Sequence, residues 1–456
     1  MIILYFLIIL FGAVLFGNII SSIFFNKKTY LIVSVFLFAL TSISLIYLYL
    51  SGINYNYLSI FSINPFSEFF IAIFSAGAIL ISSLYYEFED NYNEFSLLLS
   101  FSFIGMCIVV LSTSIPGIFI GLELISIPTV FSIFLSRKSL EAGTKLFIMA
   151  AISIAIFSFA MALSYGGNNT VLLVEGQSTS IMIMAAVLFI IGLGFEASIF
   201  PFNVLIPDVY EGSPGYVTAL MGSMNKKAGL AALIQILLLM FITIHSAFYV
   251  VAILSVFTMF YGNIGALMQK NIKRIMAYSS ISQAGYILIG IATATAYGIS
   301  GSLFQIFAHM FIFIGIMAII VIFEKHNKTT IDNVVGMYDQ NKFLAIALTI
   351  FMLSLVGLPL TTGFVGKFLI FLSAISAGLA ILTFFGILNS IISLYYYLKI
   401  ILSMYSEGNK KRIFVIDKAS LTVIAVCLII TIIFGIYPQP IMSFINSASS
   451  YLIGLT

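Results

Sequence analysis

Six ionisable residues lie inside long apolar stretches of the sequence, where a charge needs a reason. They are two acids, three lysines and a histidine: Glu123, Glu196, Lys226, Lys227, His309 and Lys367. A charged side chain at the centre of a bilayer costs at least about 2.5–3.5 kcal/mol. Acids, amines and an imidazole that titrates near neutral pH can pass protons or cations across a membrane if they alter one another's proton affinity. These residue types favour such a relay over a set of purely structural ion pairs.

Two of these residues lie beside helix breakers. Glu196 stands in the stretch GFEASIFP at 194–201, and Lys367 ends the stretch GLPLTTGFVGK at 357–367. Proline removes a backbone donor and interrupts a helix, and the carbonyl groups that it leaves must be satisfied by protein or water. Interrupted helices at corresponding positions of two halves indicate the ion pathway in inverted-repeat transporters. The sequence therefore predicts two discontinuous helices, each with a buried charge near its break.

The rest of the chain supplies the helices that must hold these groups. Of its 456 residues, 62% are apolar and only 8% are charged. Soluble domains carry about 25% charged residues, so a soluble globular protein is excluded. A bilayer-spanning helix takes about 20 residues. Fourteen apolar stretches approach or exceed that length: 2–25, 29–50, 66–86, 94–113, 115–135, 143–165, 180–206, 214–243, 247–268, 275–297, 300–323, 342–375, 377–404 and 417–445. We predict an all-α polytopic membrane protein, with 1–456 as a single transmembrane domain.

The basic residues outside these stretches indicate how the chain is oriented. They all fall in or beside the loops that follow odd-numbered stretches, at 27–28, 137–138, 145, 270–274, 325–328, 342 and 410–418. The loops after even-numbered stretches contain no lysine or arginine. The positive-inside rule then places the basic loops in the cytoplasm and both termini outside. We expect a multi-pass protein of the cell membrane.

Cofactors and nucleic acid are not expected to bind this chain. Its two cysteines, Cys107 and Cys427, lie far apart in apolar stretches, and its three histidines are too few for haem or multi-histidine metal ligation. The net charge of +3 is too small an excess to indicate nucleic-acid binding. Any redox cofactor that serves this protein is expected in another subunit.

Six sequence blocks resemble the antiporter-like membrane subunits of respiratory complex I, and among them the subunit N (ND2-type) family. They are GLELISIP at 121–128, EAGTKLFIMAAIS at 141–153, PDVYEGSP at 207–214, NIKRIMAYSSISQAGY at 271–286, GLPLTTGFVGKF at 357–368 and NSIISLYYYLKI at 389–400. The third and sixth blocks favour subunit N over its L and M relatives. The resemblance runs over about 65–440, and the order and spacing of the blocks make it strong.

The resemblance implies a fold of two inverted five-helix repeats that contain discontinuous helices. Its parts would be helices 1–3 at 1–93, the first repeat with helices 4–8 at 94–243, the second repeat with helices 9–13 at 247–404, and helix 14 at 417–445. It also implies a proton-translocating subunit driven by quinone reduction elsewhere, with iron–sulfur clusters and quinone in partner subunits. By position, Glu123 matches the family's fifth-helix glutamate, Lys226 its eighth-helix connecting lysine and Lys367 its twelfth-helix lysine.

Four positions depart from the family pattern. The family usually has lysine where Glu196 stands and histidine and tryptophan where Asn203 and Leu205 stand. It often has histidine where Gln283 stands. Glu123 and Glu196 would repel each other if both were ionised, so one of them is expected to hold its proton or to pair with a lysine.

The remaining candidates complete a predicted relay. Lys227, next to Lys226, is the candidate for the compensating charge, and His309 resembles the L and M relatives and is interpreted as a central relay. In this hypothesis the two acids take protons from the cytoplasmic half, the two adjacent lysines and the histidine pass charge across the centre, and Lys367 releases it outward.

The predicted function is thus the proton-translocating subunit N of a complex I-like oxidoreductase, with no cofactor chemistry in this chain. Three alternatives stay open from the sequence. One is a subunit of a multisubunit cation/proton antiporter, and another is a membrane-bound hydrogenase- or formate-type complex. The third is a scaffold that has lost pumping, which the change at Glu196 favours and which the presence of Glu123 and Lys367 opposes.

Overall fold

The computed structural model of the chain describes residues 12, 14, 17–18, 20, 27–52, 55–57, 60–86, 92–136, 139–326, 329–407 and 417–454. The first predicted membrane stretch, 2–25, therefore lies almost entirely outside the described residues. Apart from one short hairpin, the regular structure of the described part is helical.

The first part of the described chain consists of long helices and an antiparallel hairpin. These elements are α1 Lys27–Leu50, β1 Tyr55–Tyr57, β2 Phe61–Ile63, α2 Pro65–Tyr85, α3 Tyr92–Leu111, α4 Ile115–Phe134, α5 Leu140–Asn168 and α6 Ser180–Ala197. In the hairpin, Tyr55 pairs with Ile63 and Tyr57 with Phe61. The sequence did not predict this hairpin, which lies in the interruption between the second and third apolar stretches.

The second part contains the short and the interrupted helices. Its elements are α7 Ile206–Gly212, α8 Gly215–Leu220, a π-helical turn at Met221–Asn225, α9 Lys226–Phe241, α10 His245–Leu267, α11 Ile272–Ala292, α12 Ala296–Lys325, a 3₁₀ turn at Ile331–Val334, α13 Met337–Gln340, α14 Lys342–Val356, α15 Thr362–Ser376, α16 Ala380–Tyr405, α17 Lys418–Ile436 and α18 Gln439–Gly454.

The chain divides into two compact units. The first unit comprises Met1–Ala197, Met224–Phe248 and Phe444–Thr456, and the second comprises Ser198–Ser223 and Tyr249–Ser443. The first unit therefore contains α1 to α6 and α9, and the second contains α7, α8, most of α10 and α11 to α17.

The prediction of an all-α polytopic membrane protein is confirmed. Among the described residues, twelve helices are long and apolar enough to cross a membrane, and the shorter α14 and α15 together take the place of the twelfth predicted stretch. Two other predicted stretches also divide. The seventh, 180–206, is helical only to Ala197, and the fourteenth, 417–445, ends at Ile436 before a separate helix begins at Gln439.

Each break has a local cause in the sequence. After α6 the backbone of Ser198 takes a positive φ of 61°, and Pro201 follows, which offers no donor to continue a helix. After α14, Gly357 has a φ of 103° and caps the helix end in the left-handed conformation that glycine tolerates best. Pro438 lies just after the end of α17 and, like Pro201, has no backbone donor with which to continue the helix. The prediction of discontinuous helices at Glu196 and Lys367 is confirmed.

The core of the second unit is α12. Every residue of its apolar stretch is buried, and α8, α11, α14, α15 and α17 all pack against it. Its start is fixed by Thr295, whose side chain accepts a hydrogen bond from the Gly298 amide. Such an N-cap contributes about 0.5–2 kcal/mol. A helix enclosed in this way can carry polar side chains that do not face lipid in the folded protein.

Candidate functional site

The two predicted acids lie together in the first unit. Glu123 is half-buried on α4, and Ser126, three residues further along that helix, donates a hydrogen bond of 2.9 Å to Glu196 Oε1 on α6. The two carboxyl groups are also close enough to interact electrostatically. The structure therefore brings the predicted pair of acids into one polar site between α4 and α6.

A cleft of about 290 Å³ exposes one side of this site. Eight residues of α4 and α5 line it: Glu123, Ser126, Ile127, Val130, Phe147, Ala150, Ala151 and Ile154. Apart from Glu123 and Ser126 the lining is apolar. The cleft thus gives access to the Glu123 carboxyl group, which can exchange a proton with a molecule bound in the cleft.

The third wall of the acidic site is α9. A Cβ atom at Gly229 would lie 2.8 Å from the Glu196 Cβ and 3.1 Å from the Ala197 amide nitrogen, so only glycine allows this approach. Lys226 stands one turn before Gly229, and neighbouring residues three apart share a helix face. Lys226 and Lys227 are 4% and 1% exposed. The predicted lysines are therefore buried on the helix that packs against Glu196.

A π-helical turn, Met221–Asn225, comes directly before these lysines. Its last residue, Asn225, donates a 2.7 Å hydrogen bond to Thr129 Oγ1 on α4. Single π turns inside α-helices are frequent at functional sites. We did not predict this turn from the sequence, since Met221–Asn225 contains no proline to mark an interruption.

The second unit holds Lys367 on α15. Its Nζ donates to the carbonyl oxygens of Leu355 at 2.8 Å and Val356 at 3.0 Å, and to Ser390 Oγ at 3.3 Å. It also lies 4.1 Å from the centre of the Tyr286 ring. Lys367 is 3% exposed. The amine is thus enclosed by three oxygens and one aromatic face.

The two carbonyls belong to the last turn of α14, where an intrahelical partner is missing. The carboxyl-terminal end of a helix carries a partial negative charge equivalent to about half an elementary charge, and this charge attracts a cation. Gly357 makes this geometry accessible, because it ends the helix and its Cα faces the Lys367 side chain, with an added Cβ only 3.3 Å from Cδ. The helix break is therefore what creates the lysine site.

A chain of buried amides leads from this site to α12. Gln283 Nε2 on α11 donates to the Leu355 carbonyl at 3.1 Å, and Gln305 Nε2 on α12 donates to Gln283 Oε1 at 2.9 Å. His309 follows Gln305 by four residues, is completely buried, and stacks on Phe313 with ring centres 5.4 Å apart. Gln283 therefore lies directly between α12 and the lysine site.

An ionic cluster that the sequence did not predict joins four helices of the second unit. Lys273 on α11 pairs with Glu324 on α12 at 2.6 Å, and Arg274 pairs with Asp208 at 2.7 Å and Glu211 at 2.8 Å on α7. Glu324 also accepts a 2.7 Å hydrogen bond from the Gly215 amide at the start of α8. The blocks PDVYEGSP and NIKRIM contain four of these five charged residues and were the available signal, whereas Glu324 lies outside both blocks, near the end of α12.

A second ion pair of the second unit lies at the start of α17. Lys325 donates to Asp417 Oδ2 at 2.8 Å, and Asp417 caps α17 by accepting from the Ser420 amide at 2.7 Å. Burial opposes ionisation here, yet the hydrogen bonds from Lys325 and Ser420 hold the pKa of the Asp417 carboxyl below its usual range.

Among the described residues, no group of three or more histidine, cysteine, aspartate or glutamate side chains could hold a metal ion. Cys107 and Cys427 are both buried and free.

Three comparisons place the chain among known proteins. The family model described as "NADH:quinone oxidoreductase/Mrp antiporter, TM" matches residues 112–393. NADH-quinone oxidoreductase subunit N of Trichlorobacter lovleyi is 38% identical over 398 residues, which are 82% of this chain and 81% of that protein.

Two solved structures have the same fold. A chain of respiratory complex I from Thermus thermophilus, with bound aureothin, superposes with a TM-score of 0.86 at 25% identity and covers 96% of this chain and 99% of that one. A chain of the Mrp complex from Dietzia gives a TM-score of 0.88 at 17% identity and covers 98% and 96%, which shows a shared fold alone. With the sequence identity, the family model and the fold in agreement, the chain belongs to the NADH-quinone oxidoreductase subunit N family, within the NADH:quinone oxidoreductase/Mrp antiporter transmembrane proteins.

Proposed function

We propose that this chain is the proton-translocating N subunit of a complex I-like NADH-quinone oxidoreductase. One observation carries the proposal: Lys367, a buried amine, donates hydrogen bonds to the carbonyls that end the first half of a broken helix. A protonated amine is held there by charge and by two strong acceptors, whereas a neutral amine loses the electrostatic part of that attraction. Gain or loss of the proton is therefore coupled to the position of the helix ends.

The first unit supplies the acids of the relay. Glu123, at its cleft, takes a proton from the cytoplasmic side and exchanges it with Glu196, which Ser126 holds in place. A carboxylate in the last turn of α6 meets the negative end of that helix, so one of the two acids holds a proton at rest. Lys226 and Lys227 compensate the remaining charge and pass it on.

The second unit supplies the later steps of the relay. His309 and the amides of Gln305 and Gln283 lead to Lys367, which releases its proton outward. An amide side chain does not itself titrate, so Gln283 orders the hydrogen bonds of the route and does not store the proton. The stored protons belong to the acids, the lysines and the histidine.

The partners follow from the family. Electron transfer, iron–sulfur clusters and the quinone belong to other subunits of the assembly, and this chain contributes a membrane subunit of the cell membrane. The basic loops face the cytoplasm, and the termini lie on the opposite side. This arrangement makes the chain a part of a translocating enzyme without redox chemistry of its own.

The test replaces Lys367 by methionine in the assembled complex, reconstituted in vesicles. We expect proton uptake coupled to quinone reduction to fall by about tenfold or more, since removal of a positioned proton carrier costs about 10²–10⁴-fold in transfer rate. Lys399→Met on α16 is the matched control, because Lys399 is exposed and should leave proton uptake unchanged. Unchanged uptake in Lys367→Met would contradict the proposal.

A second candidate function is a subunit of a cation/proton antiporter. It is favoured by the carboxyl group of Glu196 where the family usually has lysine, since carboxylates bind Na⁺ as well as protons. Purification of the tagged chain from its native host, with identification of the co-purifying subunits by mass spectrometry, separates the two. Iron–sulfur and quinone-site subunits would support the oxidoreductase, and small membrane subunits alone would support the antiporter.

A further inference from the structure

On two of the helices near Lys367, α11 and α16, the longer polar segment lies toward one end. On α11, Ser279–Tyr286 includes three serines, Gln283 and Tyr286, whereas the following segment 287–292 reads ILIGIA. On α16 the order is reversed: 380–388 reads AILTFFGIL, and the polar segment NSIISLYYY follows at 389–397. Because α11 and α16 enter the membrane from opposite faces, both polar segments lie on the side of the basic loops.

Two polar side chains beyond Lys367 on the other side, on α15 and α16, are already satisfied by backbone. Thr383 Oγ1 on α16 donates to the Phe371 carbonyl at 3.1 Å, and Ser373 Oγ on α15 donates to the Ile370 carbonyl at 2.7 Å. Each of these hydroxyl groups uses its single donor in a bond to backbone.

On the side of the basic loops, the polar groups bond to one another across helices. Asn263 Nδ2 on α10 donates to Asn389 Oδ1 on α16 at 2.9 Å, and the Tyr396 hydroxyl donates to Asn263 Oδ1 at 3.1 Å. Ser390, next to Asn389, accepts from Lys367. All of these side chains except Ser390 are at most 1% exposed. The cluster therefore begins at the lysine and continues through three helices.

The cluster also approaches the basic end of the helices. Asn263 lies four residues before the end of α10 at Leu267, which is about 6 Å of helix. Ser279, which is hydrogen-bonded to Tyr397, lies seven residues after the start of α11 at Ile272, or about 10 Å. The loop between α10 and α11 contains Lys270.

The Tyr286 hydroxyl is the group in this cluster that indicates a path for water or protons, and not only hydrogen bonding between helices. The Tyr286 hydroxyl is completely buried and makes no hydrogen bond of good geometry to the described residues, although Ser390, Asn263 and Ser393 lie close enough to interact with it. A buried hydroxyl without a partner costs about 1–3 kcal/mol. Ordered water is the usual partner of such groups in proteins.

We propose that Asn263, Tyr286, Asn389 and Tyr396 line a hydrated route by which Lys367 takes up its proton directly from the face of the basic loops. The proposal rests on the proposed function, because it gives the lysine of the second unit its own proton source. The Tyr286 hydroxyl holds water beside the amine, and the asparagine pair and Tyr396 continue the hydrogen-bonded path toward the end of α10. This route supplies Lys367 in addition to the relay that begins at the acids of the first unit and passes His309.

The sharpest test is Tyr286→Phe in the reconstituted complex. The substitution keeps the ring that faces Lys367 and removes a hydroxyl that contributes no protein hydrogen bond, so the folding of the complex should be unaffected. We expect proton uptake to fall severalfold while thermal stability is unchanged or slightly raised. Thr383→Val, on the opposite side of Lys367, is the control and should pump normally. Normal pumping by Tyr286→Phe would overturn the route.

A second pair of variants separates hydration from the asparagine contact. Asn389→Leu and Asn389→Ser both disturb the side-chain bond to Asn263, but only serine keeps a hydroxyl for water. We expect pumping to be lost in Asn389→Leu, by as much as in Lys367→Met, and largely retained in Asn389→Ser. Equal losses in both variants would show that the asparagine pair serves packing alone and would overturn the route.

These outcomes differ from a failure of the proposed function. If Lys367→Met itself pumps normally, translocation by this lysine is wrong, whatever the route. If Lys367→Met fails to pump while Tyr286→Phe and Asn389→Leu pump normally, the lysine translocates and draws its proton from elsewhere. The three variants together therefore decide the two statements separately.

Discussion

The helix breaks after α6 and after α14 each place one buried ionisable side chain at the end of a helix, but the two side chains have opposite charges. At the first break, an acid, Glu196, sits in the last turn of the half-helix and receives a hydrogen bond from Ser126. At the second, an amine from the following half-helix, Lys367, donates to the last carbonyls of α14. The carboxyl-terminal end of a helix is partly negative, so it stabilises a protonated amine directly and opposes the ionisation of an acid. The difference teaches that the second site is fit for a charge, whereas the first needs a proton or a cation beside it.

The largest effect is expected when the charge of the side chain at each helix break is exchanged for the opposite charge. Lys367→Glu would place a carboxylate against the Leu355 and Val356 carbonyls, and we expect coupled proton uptake to fall by about 100-fold. Glu196→Lys would place an amine at the end of α6, beside Glu123, and we expect uptake to fall by less than about threefold. Both are measured in vesicles with the reconstituted complex. Equal losses would show that the helix ends do not decide which charge is tolerated.

The backbone at the two breaks gives a second test. Gly357→Ala puts a Cβ on a residue at φ 103°, and we expect about 1–2 kcal/mol of destabilisation, with weaker pumping because the carbonyls that hold Lys367 shift. Ser198 stands at φ 61° after α6, and Ser198→Gly should leave stability unchanged or raise it by up to about 1 kcal/mol. Thermal unfolding of the purified protein in detergent measures both. A stable Gly357→Ala protein would remove the requirement for glycine at the second break.

A third test determines whether Glu196, at the break after α6, is neutral or ionised. Ser126→Ala removes the hydrogen bond to Glu196, which is worth about 0.5–1.5 kcal/mol if the acid is neutral and about 1.5–3 kcal/mol if it is ionised. We expect the smaller loss, together with a shifted carboxylic-acid band in the infrared spectrum. Ser390→Ala, which removes the longest of the Lys367 contacts, serves as the corresponding variant of the second site. A carboxylate band from Glu196 at neutral pH would contradict a protonated resting state.

The smallest effect is expected outside the membrane, where water screens the charges. Because the pKa of Asp417 is lowered in the folded protein, its pair with Lys325 adds stability above the unfolded-state pKa of about 3.9, and this stability is lost as the pH falls through the lowered value. Asp417→Asn keeps the cap on Ser420 and should cost about 0.5–1 kcal/mol at pH 7. Thermal midpoints of the two proteins should converge as the pH falls below the lowered pKa of Asp417. A constant difference from pH 7 to pH 3 would exclude the ion pair as its source.

The sequence predicted the membrane class, the family and both breaks, because each depends on local residue types. Long apolar stretches, proline and glycine act within a few residues, so GFEASIFP and GLPLTTGFVGK were sufficient to locate the interruptions. The ends of the helices were less accurate: 180–206 was taken as one stretch, although the helix ends at Ala197. Apolarity continues through the break, and hydropathy alone does not register a change in backbone direction.

The partners inside the membrane could not be predicted from the sequence. Lys273 and Glu324 are far apart in the chain, as are Gln283 and the Leu355 carbonyl, and no local pattern relates them. The π turn before Lys226 arises from tertiary packing for the same reason. Single residues could be selected as candidates because charge is costly in lipid, but their neighbours are fixed only by the way in which helices pack.

The complete enclosure of α12 has a consequence for the way the protein is made. During synthesis this helix emerges before α14, α15 and α17, which later cover it, so its apolar surface first faces lipid. Gln305 and His309 must then enter the bilayer before three of the five helices that pack against α12 exist. The strong apolarity of the rest of α12 is what allows this early insertion. A chain that stops before α14 would therefore be expected to insert and yet to leave α12 covered only by the helices that precede it.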